Sequence, residues 1–164
     1  MTTPFYGTLV DAAAYHTERG NAAWGAAAND TIRTQALINA SEYIDSFAKQ
    51  FAGKPTGGRT QIRYWPATGV YLDGEELDDT IVPREIEAAT YEAALLLVQG
   101  IDLRPNLDRG GAVKRERVKA GPAEVETEYA DSASTGTTYR KINDLISVLF
   151  EEAFGVAELD VLRV

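Results

Sequence analysis

The side chains that could do chemistry are few, and their spacing favours binding over catalysis. His16 is the one histidine among 164 residues, and there is no cysteine. A Ser-His-Asp triad would have to be built on His16. That residue falls on the inner face of a predicted helix beside Ala12 and Ala13, where a hydrogen-bonded packing role is the better reading. Without cysteine, neither a disulfide framework nor a thiolate metal site can form. Gly53-Lys54-Pro55-Thr56 superficially resembles a phosphate loop. The true motif needs a glycine five residues before the lysine and Ser or Thr directly after it, between a strand and a helix. Here Pro55 follows the lysine and a helix precedes it. Asp73, Glu75, Glu76, Asp78 and Asp79 crowd the oxygen ligands that calcium favours. Their spacing is not that of an EF-hand, so a solvated acidic loop is expected. No pair of carboxylates stands out for acid–base work, and the residues select neither a cofactor nor a metal.

Binding chemistry is better represented. Lys114, Arg115, Arg117 and Lys119, following Arg109, form the one basic run, and Tyr129 lies close behind it in sequence. Cations beside an aromatic ring can track a single nucleic-acid strand, with phosphates on the cations and a base on the ring. Val113–Val118 and Glu124–Tyr129 both alternate with period two, which predicts a hairpin turning at Gly121-Pro122. Glu124, Glu126 and Glu128 would then lie on the facing strand, where cross-strand pairing takes up much of the positive field. That pairing is the preferred reading of the run, and an acidic neighbour subunit meeting the basic strand is a further one. Tyr64 and Trp65-Pro66 form a stiff aromatic segment. It reads equally as a packed loop anchor or as an interface anchor, since Trp fills large buried volumes and is also enriched at binding hot spots.

These residues need elements to position them. Thr8 and Asp11 make a capping box for a helix running to about Arg19, with Gly20 as its left-handed end. A short helical turn surrounds Trp24. Ile32, Ala36, Ala40, Tyr43, Phe47 and Phe51, widened by Leu37 and Ile44, predict a second helix that continues until Gly53. Irregular chain follows to Val82, with a short hairpin at Asp73-Gly74. Pro83 opens a third helix whose buried face is Ile86, Ala89, Ala93, Leu96 and Leu97, closed by Gly100. Ile142, Leu145, Ile146, Leu149 and Ala153 stripe a fourth helix ending at Gly155. The fold class is therefore mainly α: a bundle of about four helices with long loops and one protruding β-hairpin. One domain is expected over 1–164, with a helical core at about 8–100 and 139–155, a hairpin arm at about 112–130 and a tail at 156–164. Leu159, Val161, Leu162 and Arg163 give that tail apolar residues but no partner, so it reads as an interface arm.

Composition narrows the classes further. Apolar residues at 45% and charged residues at 25% are those of a globular domain, and the net charge of −9 disfavours general attraction to phosphate backbones. The longest apolar run, Ala93–Val98, is far short of the roughly 20 residues that span a bilayer. No signal-peptide pattern opens the chain, so an intracellular protein without a membrane partner is expected.

Several segments in order carry a family likeness. Tyr6-Gly7-Thr8 with Ala12, Tyr15, Arg19-Gly20 and Trp24 come first, then Ala36-Leu37 with Ala40 and Tyr43-Ile44-Asp45. The loop from Gln61 to Gly74, and Val82-Pro83 with Ile86, Ala88-Ala89-Thr90 and Ala93, complete the set. Together they resemble the small head–tail adaptor (connector) proteins of long-tailed double-stranded-DNA bacteriophages, whose sequences also carry the description DnaT-like single-stranded-DNA-binding protein. The likeness covers about residues 5–100, and Ala67 stands where that pattern favours Arg after Trp-Pro. The resemblance implies a structural virion protein without enzymatic activity. It would form a ring beneath a dodecameric portal, at the head–tail interface of the virion and in the host cytoplasm during assembly. Its partners would be the portal, neighbouring adaptor subunits, and a stopper or tail-completion protein, with DNA passing through the channel without specific binding. The alternative is a single-stranded-DNA-binding module of replication type, in which Lys114, Arg115, Arg117 and Lys119 hold phosphates and Tyr129 stacks a base. Under the adaptor reading the interface residues are Tyr64 and Trp65, Lys114, Arg115, Arg117, Lys119 and Tyr129 of the hairpin arm, and Leu159, Val161, Leu162 and Arg163 of the tail.

Overall fold

The computed structural model describes residues 4–104 and 139–150, together with the backbone of two strands at 115–120 and 123–128. Contacts divide the chain into a helical unit, residues 1–103 with 139–164, and a second unit at 104–138. The described helices are α1 (Leu9–Glu18), α2 (Ala22–Ala26), α3 (Asp30–Asp45), α4 (Arg84–Val98) and α5 (Arg140–Ser147). The strands are β1 (Lys54–Pro55), β2 (Ala67–Thr68), β3 (Tyr71–Leu72), β4 (Glu75–Glu76), β5 (Arg115–Ala120) and β6 (Ala123–Glu128). The mainly α fold class with a β-hairpin read from the sequence is the one observed.

Thr8 starts α1 as its spacing predicts. Its hydroxyl oxygen accepts from the Asp11 amide at 3.0 Å, and the hydroxyl donates to the Asp11 carboxylate at 2.6 Å. In the usual capping box the acidic side chain returns to the cap's own amide. Here the Thr8 amide donates instead to the Tyr91 hydroxyl at 3.3 Å, which joins the start of α1 to α4. That approach needs Gly7. Its φ is +74°, and a Cβ there would lie 2.0 Å from the Tyr91 hydroxyl oxygen.

The second predicted helix is two things in the structure. Asn29 caps α3 by accepting from the Ile32 amide at 3.0 Å, and Ala36, Leu37, Ala40, Tyr43 and Ile44 are buried as their spacing requires. Ile32, expected on that face, is instead exposed. The helix then stops at Asp45, well short of Phe51. Beyond it the chain makes three-residue turns, with Ala48 bonded back to Asp45 and Gln50 to Phe47. Phe51 pairs as an isolated antiparallel bridge with Phe150, and the Ala52 amide donates to the Leu149 carbonyl at 3.0 Å. An extended backbone at Phe51 is incompatible with a helix there, so this long-range pairing overrides the apolar period. The same bridge bounds the other side: α5 ends at Ser147 rather than near Gly155, with Ile142, Ile146 and Leu149 buried as expected. Residues 151–155 of the expected helix lie outside the described residues.

Helix α4 is the hub. The sequence assigns it one buried face, yet Tyr91, Glu92, Ala94 and Leu95 are buried as well as Ile86, Ala89 and Ala93. The reason is its neighbours: α1, α2, α3 and α5 all pack on it. Small side chains let four helices approach one cylinder closely, which a single apolar stripe does not anticipate.

The long connection from 53 to 82 is ordered by two antiparallel ribbons. One is the expected turn at Asp73-Gly74, where β3 pairs with β4 and both turn residues have positive φ, as a type I′ hairpin requires. The other, β1 with β2, was not legible in the sequence. It closes a loop stitched by Gln61, whose side chain accepts from the Gly57 amide at 2.7 Å and donates to the carbonyls of Tyr64 and Pro66 at 3.1 and 2.9 Å.

Gly7 and Gly20 share a left-handed backbone, but a Cβ at Gly20 meets open space. Gly20→Ala should therefore cost only the backbone term, about 1 kcal/mol. Gly7→Ala adds overpacking of about 1–3 kcal/mol against Tyr91. Urea unfolding of the two variants measures the difference. Equal losses would mean that the close approach of Tyr91 is not what requires glycine.

Candidate nucleic-acid interface

The second unit contains the predicted hairpin. β5 pairs antiparallel with β6, and the ladder sets Arg115 opposite Glu128, Arg117 opposite Glu126 and Lys119 opposite Glu124. Between them Glu116 faces Thr127 and Val118 faces Val125, and the final pair is Ala120 with Ala123. The period-two pattern of the sequence thus has the register that it predicts. Successive cations on β5 are two residues apart, about 6.6 Å along the strand. Directly opposed residues of an antiparallel pair share a face of the ribbon, so each of the three cations shares its face with a glutamate. The turn residues Gly121 and Pro122 lie outside the described residues, as do Lys114, Tyr129 and the tail residues Leu159, Val161, Leu162 and Arg163.

Tyr64 and Trp65 belong to the helical unit. Trp65 is 2% exposed, its ring packed edge-on against Phe51 at 5.4 Å and Tyr64 at 5.6 Å. The Tyr64 hydroxyl reaches back to the Gly53 carbonyl at 2.9 Å. In this structure Trp65 is the anchor of the 53–69 loop, the first of the two readings open from sequence.

Spacing alone did not reveal the polar assembly around that anchor. Both the Tyr6 hydroxyl and the Tyr64 amide donate to Asp45 Oδ1, the latter at 3.2 Å, and Arg63 pairs with Oδ2 at 3.3 Å. The Trp65 amide in turn donates to the Tyr6 oxygen at 3.1 Å. Burial, reinforced by the Asp45 charge, pushes the Tyr6 hydroxyl far above the ordinary tyrosine range, so it is a fixed donor. A second cluster is built on Glu92, buried in α4. Lys141 pairs with its Oε1 at 2.6 Å and the Tyr15 hydroxyl donates to the same oxygen at 2.9 Å. Burial and that bond push Tyr15 up to about 12. Both clusters join elements of the helical unit.

His16 is buried with its ring 4.7 Å from Trp24 and 5.3 Å from Tyr15. The Asn21 side-chain amide donates to Nδ1 at 3.0 Å, which places the imidazole proton on Nε2. Nε2 and the Trp24 indole nitrogen have no hydrogen-bond partner among the described residues. A cleft of about 450 Å³ opens beside them between α1, α2 and the start of α3, lined by Leu9, Ala13, Asn21 and Arg33 among others. Arg33 is committed there to the carbonyls of Trp24, Gly25 and Ala27, each at 3.0 Å, and to Asp30 at 2.6 Å. The cleft therefore holds a packed histidine, and the Thr17 hydroxyl that also lines it donates to the Ala13 carbonyl at 2.7 Å. Asp78, exposed, is held within its own turn, accepting from the Thr80 amide and hydroxyl at 2.8 and 2.6 Å. Among the described residues no group of three possible metal ligands converges, and no helix is long and apolar enough to cross a membrane.

The described residues thus comprise a mainly α bundle and, in the second unit, a two-stranded ribbon. The family model described as "Putative DnaT-like ssDNA binding protein" matches residues 5–164, and the chain belongs to that family. No curated protein and no solved structure matches it. The match overturns the reading of the chain as a structural virion adaptor between portal and tail. The family's description is of a DNA-binding protein, which is the alternative weighed from the basic strand.

Burial holds the His16 imidazole below its usual pKa, with Glu92 and the Tyr91 backbone only partly offsetting that effect. The unfolded chain then binds more protons than the folded one as pH falls. The His16 contribution to stability is complete above about pH 6.5 and is lost progressively below it. Urea midpoints of wild type should fall between pH 7 and pH 5 more steeply than those of His16→Gln. Parallel curves would assign the acid sensitivity to carboxylates instead.

Proposed function

We propose that this protein binds single-stranded DNA and that β5 is its electrostatic contact. The observation that carries this reading is the family match along nearly the whole chain, residues 5–164. Three things in the residues support it. Arg115, Arg117 and Lys119 recur every second position of an extended strand, a spacing suited to following an extended phosphate backbone. Tyr129 comes directly after β6 in sequence and offers a face on which a base can stack. The net charge of −9 leaves little general attraction for nucleic acid, so binding concentrates on the one basic strand. Binding is by charge and stacking, with modest sequence preference and no chemical step.

Fluorescence anisotropy of labelled oligonucleotides across a salt series tests this. Single strands should bind more tightly than duplex, with affinity falling steadily as salt rises. Removing one cation that neutralises a phosphate of a single strand lowers the slope of log K against log salt by about 0.7. Arg115→Ala with Arg117→Ala should therefore lower it by about 1.4. An unchanged slope would remove β5 as the contact, and equal binding of duplex would remove the preference for single strands.

A further inference from the structure

The ladder of the hairpin carries more than a binding strand. Each cation of β5 stands directly opposite a glutamate of β6: Arg115 with Glu128, Arg117 with Glu126, Lys119 with Glu124. The acidic residue of β5 itself, Glu116, falls at the alternate position, opposite Thr127. Complementary charges thus occupy one face in three consecutive same-face pairs, and the remaining glutamate is off that face. We propose that the three β6 glutamates are a built-in competitor for the phosphate site, holding the cations of β5 in intramolecular pairs that a nucleic-acid strand must displace. This inference rests on the reading of β5 as the contact and adds its regulation.

The physical case is one of exchange. A guanidinium opposite a carboxylate at cross-strand distance is already partly neutralised. An incoming phosphate must replace that partner, and it leaves the displaced carboxylate facing a polyanion. Both effects lower affinity without altering which residues meet the ligand. They also screen the positive strand when no ligand is present, so weakly held polyanions are refused. A single strand that engages several cations in succession overcomes several pairs together, whereas an isolated anion meets one closed pair. The ribbon therefore selects extended polyanions over small ones.

Glu116 provides the control, because Glu116→Gln and Glu126→Gln change the net charge equally on the same ribbon. With a labelled thymidine oligomer and the full chain at low salt, Glu126→Gln should tighten binding by roughly 1.4- to 5-fold, the worth of one cross-strand pair. The triple change Glu124→Gln, Glu126→Gln, Glu128→Gln should tighten it by roughly 3- to 150-fold if the pairs act independently. Glu116→Gln should do clearly less than Glu126→Gln, and every gain should shrink as salt rises. The single variants answer the question even if the triple variant loses its hairpin. Equal gains from Glu116→Gln and Glu126→Gln would overturn the inference in favour of net charge. Wild-type binding that none of these changes alters would also overturn it while leaving the DNA-binding reading intact. Failure of wild type and all variants to bind would remove that reading, and the inference with it.

Discussion

The helical unit depends on one carboxylate. Asp45, at the last turn of α3, gathers the Tyr6 hydroxyl, the Tyr64 amide and the Arg63 guanidinium on its two oxygens. Through them the segment before α1, the end of α3 and the 53–69 loop meet at one point. Arg63, only 9% exposed in its side chain, also donates to the Pro4 carbonyl at 2.8 Å. A charge this enclosed is tolerable because each of its neighbours is itself satisfied. Ser41 extends the arrangement inward: fully buried, it accepts from the Tyr6 amide at 3.0 Å and donates to the Leu37 carbonyl at 2.8 Å. The aromatic cluster of Phe51, Tyr64 and Trp65 packs beside this network, so the polar assembly orients the apolar one.

A second constraint organises the packing on α4. Glu92 lies on α4, Tyr15 on α1 and Lys141 on α5, and the carboxylate joins all three. Burying one charge among helices requires a partner of opposite sign, and α5, which enters late in the chain, supplies it. The Tyr139 hydroxyl adds a bond to the Asp102 carbonyl at 2.8 Å, tying the start of α5 to the chain after α4. These bonds explain how a helix of eight residues, short by the standard of isolated helices, is held in place.

The hairpin follows a different logic. Its register is set by backbone pairing, and in the proposed function attraction within the ribbon and attraction to a phosphate strand draw on the same cations. With a net charge of −9, the general field of the protein repels nucleic acid, so the proposed binding calls for a localised site.

Local physics settled much of this in advance. The Thr8 cap, the Asp73-Gly74 turn and the β5–β6 register each rest on local sequence, and the sequence shows them directly. So does the mainly α class, since the apolar stripes of α3, α4 and α5 recur at helical spacing. The end of α3 could not be read this way: Phe47 and Phe51 continue the period, but Phe51 pairs with Phe150, nearly a hundred residues away. Nor could the burial of α4 beyond a single face, which follows from having four neighbours. The partners of Asp45 and Glu92 were hidden because a carboxylate on a helix looks the same whether it faces water or a distant arginine. The sequence thus determined the elements and the charge pattern of the ribbon. Only the tertiary structure decided where helices yield to long-range pairing and which charges are enclosed, because both depend on groups that folding alone brings together.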